Sequence, residues 1–308
     1  MQKSYLEMAS KGQNSVAKYF LAVLIILIMW QFVGAIPYLE FVVYTLIDNN
    51  PVTDINQTTS RLVGVDPLLD YIFLNLTFIY FLIGIYMAMK LVHKRSLKTL
   101  ITPFEKISWK KIIIGFVVYG ILVILGSVAD YIAAPETYKI SFDASKFFVG
   151  LPIILILTPL QTTAEELFFR GYIIQNFGRK IKNTFILSAI SGFIFMVPHL
   201  ANPEVFKSTS MGIFESLSGI IYYFIVGFIF SIVTIKTNSL EVAIGAHTVN
   251  NLIGALAVGF TDSVFQTNTL FYTTRFEPVF NLAVIIVTSV VFYFIVTKTI
   301  KPQQPEVA

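Results

Sequence analysis

The sequence lacks cysteine altogether and contains little charge for its length. Without cysteine, the 308-residue chain has no disulfides, no thiolate nucleophile and no cysteine-ligated zinc or iron–sulfur cluster. Charged side chains make up only 13% of the residues, whereas 56% are hydrophobic and the mean hydropathy is +0.75. Because a soluble domain does not need so much apolar surface, this composition predicts an integral membrane protein.

The charge that is present is distributed over short segments between apolar runs. The formal net charge of +4 is small, and its placement in short loops gives no support to nucleic-acid binding. We therefore expect the lipid bilayer as a partner and no nucleic acid. No linker rich in Gly, Ser or Pro divides the chain, so residues 1–308 are expected to form a single integral membrane domain.

Eight apolar stretches are long enough, or nearly so, to cross the hydrocarbon core of a bilayer as helices. A spanning helix needs about 20 apolar residues to cover about 30 Å, and the fifth stretch is the shortest. The pattern predicts an all-α, polytopic transmembrane helix bundle with about eight spans. The expected spans are 17–36, 69–91, 112–133, 147–168, 184–199, 217–235, 239–259 and 278–298.

The distribution of Lys and Arg predicts the orientation of the chain. With the N-terminus inside, the inner segments hold sixteen of the 22 basic residues, and Arg170 lies within an apolar run. Because cytoplasmic loops carry an excess of Lys and Arg, both termini are expected to be cytoplasmic. The outer segments hold the other five basic residues, Arg61, Lys139, Lys146, Lys207 and Arg275.

Two glutamates and an arginine lie at the end of the fourth apolar stretch. A charge at mid-membrane costs at least about 2.5–3.5 kcal/mol on insertion scales, so such residues are candidates for function. Glu166 and Arg170 are four residues apart and are expected to form an ion pair on a helix. Glu165 points about 100° away from Glu166 and is expected to face a cavity as a general base and acid. The alternative is that both acids are simply solvated at the inner interface.

Two of the three histidines fall within apolar stretches. His199 follows Phe195 by four residues, and taken alone it is more typical of an interfacial or packing residue. His247 and Asn251 are also four residues apart, so both project from one helix face. With a rise of about 1.5 Å per residue, Glu165, the two histidines and Asn251 are expected at similar depths near the middle of the membrane.

A carboxylate, two imidazoles and an amide at one depth are the groups needed to cleave a peptide bond. They can activate water and stabilise the oxyanion that forms on the carbonyl carbon. No Gly-x-Ser-x-Gly elbow or Ser/Lys pair occurs at these depths, so water is the expected nucleophile.

Three motifs carry a resemblance to a known family: Glu-Glu-x-x-x-Arg at 165–170, Phe-x-x-x-His at 195–199 and His-x-x-x-Asn at 247–251. In this order they resemble the CPBP family. That family contains the type II CAAX prenyl endopeptidases and bacterial proteins linked to bacteriocin self-immunity and peptide maturation. The resemblance covers about residues 145–260, which we take as the CPBP-like catalytic core. It implies a catalytic site made of Glu165, Glu166, Arg170, His199, His247 and Asn251.

The resemblance also implies a role for each residue. Glu165 would activate water and Asn251 would polarise the scissile carbonyl, while the ion pair shapes the site. The histidines would complete a water or metal site. Glu165, His199 and His247 are the candidate ligands of a divalent metal such as zinc, although the chemistry can also proceed without metal. The zincin motif His-Glu-x-x-His is absent, and no organic cofactor is expected.

The expected function is an intramembrane endopeptidase that hydrolyses a membrane-associated protein or peptide precursor, from a cavity open toward the inner side. Short loops and the lack of appended domains favour a bacterial cell membrane, and a peptide precursor over a prenylated protein. Two other classes stay open. One is a non-catalytic immunity or scaffold protein that binds a peptide in the same cavity. The other is an ion-coupled transporter, because intramembrane carboxylates and histidines also form proton relays.

Overall fold

The computed structural model describes residues 4–47, 52–56, 61–260 and 263–300, and it is a bundle of helices with short strands in the connections. The predicted transmembrane helix bundle is therefore confirmed. The helices are α1 (Val16–Leu27), α2 (Ile36–Ile47), α3 (Pro67–Met87), α4 (Trp109–Ala133), α5 (Ala144–Glu166), α6 (Ile174–Phe177), α7 (Thr184–His199), α8 (Pro203–Met211), α9 (Ile213–Lys236), α10 (Glu241–Leu256) and α11 (Pro278–Thr299).

Tighter or wider helical turns extend and join these helices, and two small sheets lie in the connections. The π-helical turns are Ile28–Val33, Ala88–Val92 and Leu167–Ile173, and the 3-10 turns are Leu6–Ser10, Leu97–Leu100 and Pro135–Thr137. The strands are β1 (Asp54–Asn56), β2 (Arg61–Val63), β3 (Tyr138–Ile140), β4 (Val258–Phe260) and β5 (Phe271–Thr273). β1 pairs antiparallel with β2, and β5 lies between β3 (antiparallel) and β4 (parallel).

Each of the eight predicted stretches contains a helix. Among the described residues, six helical segments are long and apolar enough to cross a membrane, or seven if α7 and α8, which meet at a bend of 88°, form one span. α10 has 16 residues, most of them buried, and lies inside the bundle against α4, α5 and α9. The number eight and the side on which the termini lie stay predictions.

The position of α10 depends on a close approach to α4. A Cβ atom on Gly245 would lie 2.0 Å from the carbonyl oxygen of Ile112, and one on Gly115 would lie 2.1 Å from that of Val242. Small residues let two helix backbones approach in a membrane, where packing replaces the hydrophobic effect as the driving force. This contact holds the helix that carries His247 and Asn251.

We expect Gly245→Ala to lower the free energy of unfolding by about 1–3 kcal/mol, the range for overpacking. The added methyl group would meet backbone, which cannot move aside as a side chain can. Gly254 is a matched control on the same helix, because a Cβ added there would have no atom within 4 Å of it. Gly254→Ala is expected to be neutral or stabilising by up to about 1 kcal/mol, through helix propensity. Equilibrium unfolding in mixed micelles measures both, and equal losses would contradict the close-approach argument.

The N-terminal residues are clamped onto the end of the bundle where α5–α6 and the 97–100 turn meet. The buried Tyr5 hydroxyl lies 2.6 Å from the carbonyl oxygen of Leu100 and 3.0 Å from that of Arg170, within donating distance of both. Arg95 donates from Nη1 to the carbonyl oxygen of Met8 at 2.6 Å. We call residues 4–13, held by these contacts, the N-terminal clamp.

His93 joins the clamp to the π-helical turn below the charged motif. Its Nδ1 lies 2.7 Å from the carbonyl oxygen of Gln13, and its Nε2 lies 2.8 Å from the hydroxyl of Tyr172. A carbonyl only accepts, so the ring carries its proton on Nδ1 and accepts from Tyr172 at Nε2. Burial lowers the pKa of His93, and the nearby cations of Arg95, Lys18 and Arg179 act in the same direction, against the hydrogen bond to Gln13.

Acidification is therefore expected to weaken the clamp. Because the pKa of His93 is lower in the folded state than in the unfolded state, its contribution to stability is present above about pH 6.5 and is lost as the pH falls below that value. The melting temperature in detergent should fall more between pH 7.5 and 5.5 in the wild type than in His93→Gln, whose amide can both donate and accept. Parallel pH profiles of the two proteins would contradict this assignment.

Candidate active site

The charged motif lies where α5 widens into a π-helical turn. α5, the turn Leu167–Ile173 and α6 form one continuous helical segment of 34 residues, Ala144–Phe177. Single π-helical turns inside α-helices often occur at functional sites. The segment is tied to α10 by a hydrogen bond of 2.9 Å between the hydroxyls of Thr162 and Thr248. This brings the two glutamates opposite His247.

Glu166 forms the centre of a buried polar chain. Its Oε1 accepts from Nη1 of Arg170 at 2.7 Å, so the predicted ion pair is present, and it lies 2.8 Å from Nδ1 of His247. Both Glu166 and Arg170 are fully buried. The guanidinium carbon of Arg170 lies 3.9 Å from the ring centroid of Phe195. A buried charge needs a partner and hydrogen bonds, and here the arginine, the histidine and the aromatic face supply them.

These contacts decide the tautomer of His247. The Glu166 carboxylate already accepts from Arg170, so Nδ1 of His247 is assigned as the donor in the bond to Oε1. In the neutral ring, Nε2 is then an acceptor. This nitrogen lies 3.8 Å from Oε2 of Glu165, too far for a direct hydrogen bond.

The side chain of Glu165 is held by a residue of its own helix. Nε2 of Gln161, one turn earlier, donates to Oε1 of Glu165 at 3.3 Å. Within the described part of the chain, Oε2 has no hydrogen-bond partner although it is buried. The carboxylate therefore keeps one oxygen directed at the same space as Nε2 of His247.

One cavity of about 490 Å³ brings together four of the six predicted site residues, namely Glu165, His199, His247 and Asn251. Glu166 and Arg170 do not line this cavity and lie behind His247. The division between one glutamate that faces a cavity and one held by arginine thus appears in the structure as the helical spacing predicted. The catalytic roles of the six residues stay predictions.

His199 stands at the bend between α7 and α8 in a second polar cluster. Its Nδ1 lies 2.7 Å from the carbonyl oxygen of Phe195, and its ring stacks on Tyr223 with 4.4 Å between centroids. The hydroxyl of Tyr223 donates to Oε1 of Glu204, which also accepts from Nδ2 of Asn202 at 3.1 Å. All of these residues line the cavity or contact a residue that does.

The candidate zinc ligands do not fit a three-ligand site in this arrangement. Within the described residues, no group of three or more His, Asp or Glu side chains is placed to hold a metal ion. The hydrogen bonds of Nδ1 of His247 to Glu166 and of Nδ1 of His199 to the carbonyl of Phe195 orient the two rings and do not block their Nε2 atoms, so the misfit lies in the spacing of the three groups. The groups that this arrangement offers for chemistry are therefore side chains of the chain itself.

Several residues of the cavity wall were not predicted from the sequence. Gln161 could have been found, because it lies four residues before Glu165 on the same helix. Glu204 and Tyr223 belong to no motif and meet only through the bend after α7. Asp130, Tyr138, Arg275 and Phe276 line the cavity from the connections near α4 and α11.

The cavity reaches only one end of the bundle. Its lining comes from the connections that the count of basic residues places outside, not from the inner side. The predicted orientation and the predicted inner-side opening therefore do not agree with each other, and the side of the membrane that the cavity faces stays a prediction. The depth of the motifs along their helices does not say which end of a bundle is closed.

Comparisons with known proteins agree with the motifs. The family model described as "Type II CAAX prenyl endopeptidase Rce1-like" matches residues 145–253. The uncharacterized protein YyaK of Bacillus subtilis (strain 168) is 35% identical over 285 residues, which cover 92% of this chain and 91% of that protein. No solved structure matches the chain significantly. The chain therefore belongs to the Rce1-like family of type II CAAX prenyl endopeptidases, the family that its three motifs resemble.

Proposed function

We propose that this protein is an intramembrane endopeptidase in which Glu165 and His247 together activate a water molecule. The observation that carries the proposal is the pair of acceptors, Oε2 of Glu165 and Nε2 of His247, which lie 3.8 Å apart at one cavity. Two acceptors at this separation can each receive one hydrogen of the same water. The lone pairs of that water are then directed at an amide carbon in the cavity.

The proposed reaction needs no group beyond these side chains and water. As the water oxygen attacks the carbonyl carbon, Glu165 takes a proton from it, and a tetrahedral oxyanion forms. Glu165 then gives the proton to the leaving amide nitrogen, and the C–N bond breaks to yield an acid and an amine. Glu166 and Arg170 keep the His247 ring oriented, with its acceptor nitrogen toward the water.

Asn251 is proposed to act on the substrate carbonyl, and His199 on the peptide next to it. Asn251 lies one helical turn after His247 on α10 and lines the same cavity. A carboxamide donor there would polarise the scissile carbonyl and stabilise the oxyanion. His199 is held by Phe195 and Tyr223 at the bend of α7 and α8, from where it can contact the peptide beside the scissile bond.

The proposed setting is a bacterial cell membrane with both termini in the cytoplasm. The excess of basic residues in the segments assigned as inner supports this orientation. The proposed substrate is a membrane-associated protein or peptide precursor. The family description contains the words "CAAX prenyl endopeptidase", and an anchored bacterial precursor offers a similar combination of apolar anchor and peptide.

The proposal is tested by cleavage with purified protein in detergent. The probes are an internally quenched peptide with an N-terminal acyl chain and a randomised segment, and a farnesylated peptide ending in Cys-aliphatic-aliphatic-X. New peptide ends are read by mass spectrometry, with Glu165→Gln as the matched preparation. Cleavage by the wild type alone supports the proposal. Binding of a probe without cleavage, equal in both proteins, would replace it by a non-catalytic peptide-binding function.

A further inference from the structure

The cavity is confined to one half of the bundle. On α4 its lining residues fall between Val123 and Asp130, in the second half of the helix, and on α11 they fall between Pro278 and Thr288, in the first half. On α10 they begin at His247 and continue toward the C-terminal end. Because α4 and α10 run one way and α11 the other, all three sets belong to the same end of the bundle.

At this end of the bundle, which we call the mouth of the cavity, the lining includes a partly exposed ion pair. Nε of Arg275 lies 3.1 Å from Oδ1 of Asp130, and the hydroxyl of Tyr138 donates to Oδ2 of the same carboxylate at 2.6 Å. The side chains of Arg275 and Asp130 are 21% and 16% exposed, and both line the cavity. An ion pair at the rim is compatible with an aqueous entrance and costly against lipid.

The opposite end of the bundle is closed. The N-terminal clamp lies there, with Tyr5 and Met8 almost completely buried and Leu100 beneath them. Leu100 in turn packs against Gly171, where a Cβ would lie 3.1 Å from that of Leu100. Within the described residues, the segments 4–15, 88–108, 178–183 and 236–240 contribute no lining residue to the cavity.

The closed end is the basic end. The segments around the clamp hold most of the 22 Lys and Arg residues, whereas the connections at the cavity mouth hold few. Since an excess of Lys and Arg marks the cytoplasmic side, we infer that the active-site cavity is entered from the outer face of the membrane and takes a peptide segment that has already been exported. The route of entry is inferred from geometry and charge. Only the statement that a peptide segment enters the cavity rests on the proposed function.

Single cysteines test this inference cleanly, because the chain has none of its own. Ser127 lines the cavity, and its neighbour Val128 is 46% exposed on the lipid-facing surface. Ser127→Cys and Val128→Cys are therefore a matched pair of adjacent positions on α4. Ser96, exposed in the basic segment, and Thr274, exposed beside the mouth, serve as references for the two sides.

The reagent is a charged, membrane-impermeant methanethiosulfonate applied to intact cells and then to permeabilised cells. We expect Ser127→Cys and Thr274→Cys to react in intact cells, Ser96→Cys to react only after permeabilisation, and Val128→Cys to react at least 10-fold more slowly than Ser127→Cys. Asn281→Cys, on the neighbouring helix α11 and also lining the cavity, replaces Ser127→Cys if that variant is not found in the membrane fraction. The same pattern is expected in a Glu165→Gln background, so failure of the peptidase reaction does not affect the result.

Two outcomes would overturn the inference. If Ser127→Cys reacts only after permeabilisation, the cavity is entered from the cytoplasm, whatever Thr274→Cys does. If Ser127→Cys stays unreactive in both preparations while Thr274→Cys reacts in intact cells, the cavity is closed to the outer face. In the expected case, a charged quenched peptide added outside right-side-out vesicles should be cleaved by the wild type and not by Glu165→Gln.

Discussion

Glu165→Gln is expected to reduce kcat for peptide cleavage by about 10²–10⁴-fold, the range for loss of a general base. The amide retains the shape of the side chain and can still contact Gln161, but it cannot take a proton from water. Because Nε2 of His247 remains as the second acceptor, binding of water and peptide should change little, and KM should stay within about threefold. A split of this kind, in kcat and not in KM, is typical of a group that acts in the transition state.

The control for Glu165→Gln is Glu136→Gln, an equivalent change at an exposed carboxylate in the connection between α4 and α5. It should leave kcat unchanged. Initial rates with the quenched acyl peptide measure both variants, and a common melting temperature shows that both are folded. Full activity in Glu165→Gln would exclude this glutamate as the base. Glu204, which is also buried on the cavity wall, would then be the candidate base.

Much of the fold was predictable because a bilayer imposes a strong constraint. Every backbone polar group in lipid must be satisfied within a helix or a closed barrel, so long apolar runs identify helices. α2 and α8 were missed for opposite reasons. α2 follows the first expected span almost without interruption, but the length expected of a spanning helix placed the end of that span before α2. α8 is short and polar enough to be taken for a connection.

The site was predictable to the extent that it depends on helical spacing. The Glu166–Arg170 ion pair and the turn from His247 to Asn251 follow from residues four apart on one helix, and the shared cavity follows from similar depths. What joins different helices was not predictable. The approach of His247 to Glu166 depends on how α10 packs on α5, and the cluster of Tyr223 with Glu204 depends on an 88° bend. No periodicity in a single sequence encodes either contact.

The ion pair behind the site links catalysis to the stability of the bundle. Arg170 is fully buried, lies over the ring of Phe195 and is the cation paired with Glu166. We expect Arg170→Met to lower the free energy of unfolding by about 3–5 kcal/mol, because a buried carboxylate is left without its partner. Methionine fills much of the same volume and retains an apolar contact with the aromatic rings. The loss should therefore report the charge and not a cavity.

The double variant Glu166→Gln/Arg170→Met separates these two contributions. A neutral amide removes the uncompensated charge, and its Oε1 can still accept from Nδ1 of His247, so the double variant should be more stable than Arg170→Met alone. The coupling energy in this cycle is expected to be about 2 kcal/mol or more, measured by equilibrium unfolding in mixed micelles. If the double variant is no more stable than Arg170→Met, the arginine stabilises the bundle through Phe195 and not through Glu166. If stability returns but cleavage does not, the charge of Glu166 is needed to hold His247 in the form that accepts from water.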